Sequence, residues 1–201
     1  IVDHLESRGL MDSTILCFAS DHGETLGSHG GLMDKGIFHF DEIQRVPLFM
    51  RLPGDEHAGE RNDQLVSLVD MYPTILSAAG ADYPADQLPG RSIFDLIDGC
   101  DDWREDLVIQ SEGVESVNIT LRTLRHDKYK YGFTIGMKEQ LYDLHDDPHE
   151  MTNLVDEPQY ADVLNDLRTR LVKWMQQQGD RCVRNGVKPY LLRMGWQEPQ
   201  A

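Results

Sequence analysis

Basic side chains are scarce in this chain of 201 residues: 19 Lys and Arg stand against 35 Asp and Glu, a formal charge of −16. A phosphate backbone needs a basic footprint, so this balance argues against nucleic acid as a partner. It argues equally against an anionic membrane surface. Cysteine is scarce too. Cys17, Cys100 and Cys182 lie far apart, are odd in number and form no CxxC pair, so neither a disulfide framework nor a thiolate zinc site is indicated. No apolar run approaches the roughly 18 residues that a membrane-spanning helix needs. The opening Ile1-Val2-Asp3-His4-Leu5-Glu6-Ser7-Arg8-Gly9 has no basic n-region and no apolar h-region, unlike a signal or transit peptide. It reads as the end of an amphipathic helix closed by Gly9, and the chain is expected to be the C-terminal piece of something longer. What remains is ordinary globular material, 40% hydrophobic and 27% charged.

The run Ser13-Thr14-Ile15-Leu16-Cys17-Phe18-Ala19-Ser20 is short, apolar and β-branched near its start. Such a run predicts a strand over 14–20 buried on both faces of a parallel sheet. Five of the chain's 17 glycines fall within 23–36, the mark of a long irregular loop. A second strand is expected at Gln44-Arg45-Val46-Pro47-Leu48-Phe49-Met50-Arg51, with Pro47 at its start or at an edge. Val66, Val69, Tyr72, Pro73, Ile75 and Leu76 give a helical stripe that Asp70 could cap. After Gly99 the texture changes to short, evenly spaced strands at 107–110, 117–121, 129–133 and 140–142, the pattern of an antiparallel sheet. Alternation of Lys128, Tyr129, Lys130 and Tyr131 predicts a half-exposed strand. Tyr160, Val163, Leu164, Leu167, Leu171, Trp174 and Met175 recur with helical spacing between Pro158 and Gly179, so a helix over 158–178 should pack one face on that sheet. The tail beyond Gly179 is expected to wrap or fray.

The sharpest chemical feature is Asp21-His22-Gly23 at the C-terminal end of the first strand, the edge where open α/β sheets bind ligands. A carboxylate and an imidazole there can reach one metal, while an Asx-turn with His22 in solvent explains the same residues. Lys35 follows fourteen positions after Asp21. If the loop folds back, its ammonium could bind an anionic oxygen such as phosphate or sulfate; otherwise it is an exposed lysine. His29, in Gly27-Ser28-His29-Gly30, is open between a substrate contact, a donor behind the site and plain loop. His39, Asp41 and Glu42 are close in sequence, but helix or strand geometry would scatter them. The acidic stretch Asp143-Leu144-His145-Asp146-Asp147-Pro148-His149-Glu150 lacks calcium-loop spacing and reads as a turn.

Ser20-Asp21-His22-Gly23-Glu24, Leu26-Gly27-Ser28-His29-Gly30, Asp34-Lys35-Gly36 and Arg45-Val46-Pro47-Leu48 together resemble the second metal-binding segment of the sulfatase family, within the alkaline-phosphatase superfamily. The likeness continues through Val69-Asp70-Met71-Tyr72-Pro73-Thr74-Ile75-Leu76, Ala79-Gly80 and Gly90-Arg91-Ser92-Ile93. It ends with Gln140-Leu141-Tyr142-Asp143-Leu144 and Asp147-Pro148-His149-Glu150-Met151-Thr152-Asn153-Leu154, so the ordered set covers about residues 1 to 178.

The resemblance implies an α/β fold: part of an alkaline-phosphatase-like, mostly parallel sheet with flanking helices over 1–100, then a small antiparallel sheet packed by a C-terminal helix over 101–201. It implies Asp21 and His22 as metal ligands, Lys35 as the lysine on the sulfate group, and a divalent cation, Ca2+ first, with Mg2+ or Mn2+ as alternatives. Family members also use a Cys or Ser in a C/S-x-P-x-R setting, oxidised to formylglycine, from their N-terminal half. No cysteine here fits: Cys100 has an arginine at the right distance, Arg104, but no proline. The chain is therefore expected to be the C-terminal portion of a metal-dependent sulfatase acting on a small-molecule or saccharide sulfate ester, inactive without its N-terminal half. Two alternatives stand: a phosphonate monoester or phosphodiester hydrolase of the same superfamily, and a non-catalytic binding domain with a vestigial site. Cellular compartment is left open.

Overall fold

The structure, a computed structural model, describes residues 1–114 and 117–199. In chain order its elements are α1 (Val2–Ser7), β1 (Leu16–Ala19), α2 (Ser28–Gly31), α3 (Asp41–Gln44), β2 (Leu48–Arg51), α4 (Met71–Ala78) and α5 (Ile93–Ile97). There follow β3 (Asp106–Val114), β4 (Val117–His126), β5 (Tyr129–Thr134), β6 (Gln140–Asp143), α6 (Ala161–Gln177) and α7 (Lys188–Arg193). They divide into two compact units: Ile1–His22 with Arg45–Arg104, and Gly23–Gln44 with Glu105–Ala201. Among the described residues no helix is long and apolar enough to cross a membrane.

In the first unit β1 and β2 pair antiparallel, with Phe18 opposite Phe49 and Cys17 opposite Met50. This corrects the expectation that β1 runs parallel to its neighbour. Phe18 is 61% exposed and Phe49 67%. An apolar run records that a strand can be buried, not which strand runs beside it or what covers its faces. Asp70 also differs from its expected role, because its side chain does not cap α4. Its carboxylate accepts the Ser67 N–H at 2.7 Å and the Arg91 N–H at 2.9 Å, and takes the Arg104 guanidinium in a bidentate pair at 2.5 and 2.6 Å. The Arg91 and Arg104 guanidinium groups lie 4.7 and 4.9 Å from the Trp103 ring centroid, and Trp103 donates its indole N–H to Leu65 O.

In the second unit β3-β4-β5-β6 form an antiparallel sheet in sequence order, each strand where the sequence pattern expected one. Of the strand expected at 117–121, the Val117 and Asn118 side chains lie outside the described residues. α6 lies on this sheet: Leu164, Leu167, Leu171, Val172 and Met175 join Leu124, Tyr131, Phe133 and Leu141 in the core. Of the two expectations for the tail, wrapping holds and fraying does not: α7 forms there, and Val183, Val187, Leu191 and Trp196 enter the same core. Spaced apolar residues among polar ones gave too little local pattern for the sequence to show it. β5 is not half-exposed either: Lys130 is 2% exposed and Tyr131 fully buried. Period-2 alternation of Lys and Tyr marks two faces, but here charged partners cover the lysine's face.

Candidate active site

Asp21 and His22 follow β1 directly, in the first unit. The Asp21 Oδ1 atom accepts the His22 N–H at 2.9 Å, and Oδ2 lies 3.5 Å from His22 Nε2. The Ser20 hydroxyl donates to the His22 carbonyl at 2.8 Å, which pins the turn. The carboxylate is 84% exposed and the imidazole 40%. A carboxylate oxygen and an imidazole nitrogen thus stand side by side at a strand end, donor types that a divalent cation accepts.

Gly23 opens the second unit, and it is glycine for want of room. A Cβ there would meet the Glu42 carbonyl oxygen at 1.9 Å, while its N–H donates to Ile43 O at 2.7 Å. That bond closes the neck of the Gly23–Gln44 loop. Inside the loop the buried Thr25 hydroxyl lies 2.8 Å from both Leu32 O and Asp34 O, stapling two arms together. Asp34 has a positive φ of 70° and its Oδ1 accepts the backbone N–H of the exposed Lys35 at 2.6 Å. The His29 side chain is 7% exposed, stacked 3.5 Å from the Phe40 ring at 9°, with Nε2 3.3 Å from Glu42 Oε2.

His39, Asp41 and Glu42 scatter as expected, each to a different partner. His39 is buried, its Nδ1 2.6 Å from Thr123 Oγ1 and its Nε2 2.9 Å from Thr134 Oγ1. Burial first, and Lys130 second, push its pKa down to about 3, so the imidazole is neutral. The Asp41 Oδ1 atom accepts from Lys130 Nζ at 2.7 Å; the same ammonium pairs with Glu150 Oε1 at 2.8 Å. Glu150 Oε2 in turn accepts the Asp41 N–H at 2.5 Å. Burial raises the Glu150 pKa, against the opposing pull of Lys130. No local pattern marks this triad, whose members are far apart in the chain. A lysine at the centre of a strand that packs on its neighbours was the one available hint.

The Asp147-Pro148 stretch is a turn, with Asp147 Oδ2 accepting the Thr152 N–H at 2.8 Å. Asn153 ties that turn to β6, its side chain accepting from Leu141 N and donating to Glu139 O. Elsewhere, Glu112, Asp180 and Cys182 bring ligand-type atoms within 4.8 Å of one another. The Arg122 guanidinium stands among them, donating to Asp180 Oδ2 at 2.8 Å and to Glu112 Oε1 at 2.5 Å, so this cluster already holds its cation.

A family model described as N-sulphoglucosamine sulphohydrolase, C-terminal, matches residues 27–177. The multifunctional alkaline phosphatase superfamily protein PehA of Trinickia caryophylli is 32% identical over 196 residues, covering 90% of this chain and 38% of that protein. An arylsulfatase of Clostridium perfringens is 33% identical over 176 residues, covering 86% and 36%. Among solved structures, a 2-O GAG sulfatase superposes with a TM-score of 0.81 at 28% identity, over 89% of this chain and 40% of that one. The phosphonate monoester hydrolase of Agrobacterium radiobacter superposes with a TM-score of 0.77 at 28% identity, over 87% and 37%. The chain thus spans little more than a third of the curated relatives it matches. On the match over 27–177, the chain belongs to the N-sulphoglucosamine sulphohydrolase C-terminal family, the C-terminal portion of sulfatases in the alkaline-phosphatase superfamily.

Proposed function

We propose that this chain is the C-terminal portion of a metal-dependent sulfatase that hydrolyses a sulfate ester, with a sulfated saccharide as the substrate class. The observation that carries this is the Asp21–His22 pair at the end of β1, in a chain of this family. Asp21 and His22 would hold a divalent cation, Ca2+ in the first instance. When bound, the cation supplies Lewis-acid polarisation of a sulfate oxygen. Lys35 would offset negative charge growing on the sulfuryl oxygens or on the leaving oxygen as the S–O bond breaks. His29, stacked on Phe40 and paired with Glu42, supports the loop from behind and keeps it closed.

The nucleophile and the remaining ligands belong to an N-terminal portion in this proposal. Support comes from the open apolar faces of β1 and β2 at Phe18 and Phe49, and from relatives more than twice this chain's length. The 201-residue chain alone should not turn over an aryl sulfate, because two protein ligands leave a hard cation, which takes six or more oxygens, mostly in water.

The test is kinetic, on the full-length enzyme with 4-nitrophenyl sulfate. Lys35→Ala should lower kcat/KM about 10²–10³-fold, the scale of one preorganised charge contact. Asp21→Asn and His22→Ala should regain part of their lost activity with added Ca2+, Mg2+ or Mn2+, and Lys35→Ala should not. Near-normal rates for Lys35→Ala would refute the assignment. Likeness to a phosphonate monoester hydrolase favours a second assay with a phosphonate monoester. Preference for that ester over the sulfate would move the reaction to phosphorus.

A further inference from the structure

The loop that carries Lys35 is fastened to the sheet of the second unit by groups that a core built only for stability would not contain. Lys130 is 2% exposed, and Glu150 is buried beside it. Burying the Lys130–Glu150 ion pair, with the half-buried Asp41 as a second anion, is expensive, and apolar residues of similar volume often serve stability as well or better. Glu150 also holds a positive φ of 53°, a costly conformation for a residue with a Cβ. Strain and buried charge meet here at one point.

Every tie of this set reaches the same short stretch, 39–44. Lys130 and Glu150 grip the side chain and the N–H of Asp41. Thr123 and Thr134 bracket the His39 ring, and Gln44 Nε2 donates to Thr123 Oγ1 at 2.8 Å. β5 is stripped to glycine beneath the imidazole, since a Cβ on Gly132 would lie 2.6 to 2.9 Å from it. The other root of the loop, Gly23, is bonded to Ile43 within that stretch, and His29 stacks on Phe40. Both roots and the loop's interior therefore take their orientation from one latch.

We propose that Lys130, Glu150 and His39 are positioning residues: through the Gly23–Gln44 loop they hold Lys35 where it meets the sulfuryl group, a role that rests on the assignment of Lys35 above. Ion pairs and a bracketed imidazole are directional, so they fix the register of the loop, which apolar contact alone would leave free to slide. A displacement of about 1 Å in a charge contact can cost about 10²-fold in rate.

The experiment uses the full-length enzyme and 4-nitrophenyl sulfate, with Lys130→Met and Glu150→Gln made alone and together with Lys35→Ala. Each single variant should lose about 10- to 100-fold in kcat with KM little changed. In the Lys35→Ala background neither should cost anything further, because the contact they position is already gone. Lys130→Arg should recover part of the loss. Hydrogen exchange should quicken at residues 25–36 in Lys130→Met while α6 stays protected, which separates a loosened loop from a loosened fold. Where Lys130→Met yields little folded enzyme, Glu150→Gln, which keeps an acceptor for the Asp41 N–H, carries the same comparison. Losses that add fully to that of Lys35→Ala, or an unchanged kcat, would overturn the positioning role and leave the Lys35 assignment standing. An unimpaired Lys35→Ala enzyme would instead remove the assignment, and the positioning role with it.

Discussion

Acidifying the chain from pH 7 to pH 5 should cost about 2 kcal/mol of folding stability through His39 alone. The ring is buried between Thr123 and Thr134, with the Lys130 ammonium on the same strand as Thr134, and its pKa is pushed down to about 3. An unfolded histidine titrates near 6.5. Below that pH the unfolded chain takes up a proton that the native chain refuses, so stability is flat above about 6.5 and falls by about 1.4 kcal/mol per pH unit down to about 3. Glu150 works in the opposite sense: its raised pKa lets the native state bind a proton more readily than the unfolded one. A comparison of pH slopes removes that background. Urea titrations of the chain and of His39→Gln at pH 7 and pH 5 should show the wild-type loss exceeding the variant's by about 2 kcal/mol, on the order of 5 °C in Tm. NMR of the His39 ring should show no protonation shift down to pH 4. Equal pH slopes in the two proteins, or a ring that titrates near 6.5, would refute the reasoning.

Arg104→Ala should destabilise the first unit by about 3–5 kcal/mol, since it strands the fully buried Asp70 carboxylate; a loss under 1 kcal/mol in chemical denaturation would mean that the backbone N–H donors of Ser67 and Arg91 suffice. Gly132→Ala should cost about 1–3 kcal/mol by driving a methyl into the His39 ring. The same change in a His39→Ala background should cost clearly less, and equal costs would place the strain elsewhere. Leu171→Ala, fully buried between α6 and the sheet, should lose about 2–5 kcal/mol, read as a shift of the urea midpoint.

Much of the second unit was legible because its signals are local. Four short alternating runs separated by turn residues became β3 to β6, and the stripe from Tyr160 to Met175 became α6. The buried Arg168 on that same helix was not legible, because its reason lies elsewhere in the chain: its guanidinium pairs with Glu139 at 2.9 and 2.5 Å, and Tyr131 donates its hydroxyl to the same carboxylate. The partner of β1 was misread for a related reason, since hydrophobicity encodes burial and carries no strand direction.

The Asp21-His22-Gly23 motif could be picked out from sequence because residue type, strand end and glycine sit within a few positions. Tertiary structure decided what holds the following loop. Lys130 looked like the exposed half of an alternating strand, and Glu150 like part of an acidic turn. Only when β5 and the turn after β6 fold against residues 39–44 do their charges meet Asp41, 89 and 109 positions away from it in the chain. Sequence determines structure locally through periodicity, turn chemistry and caps, whose partners lie a few residues apart. Buried charge is settled by partners that the chain brings together from a distance, so its meaning appears only once the fold has closed around it.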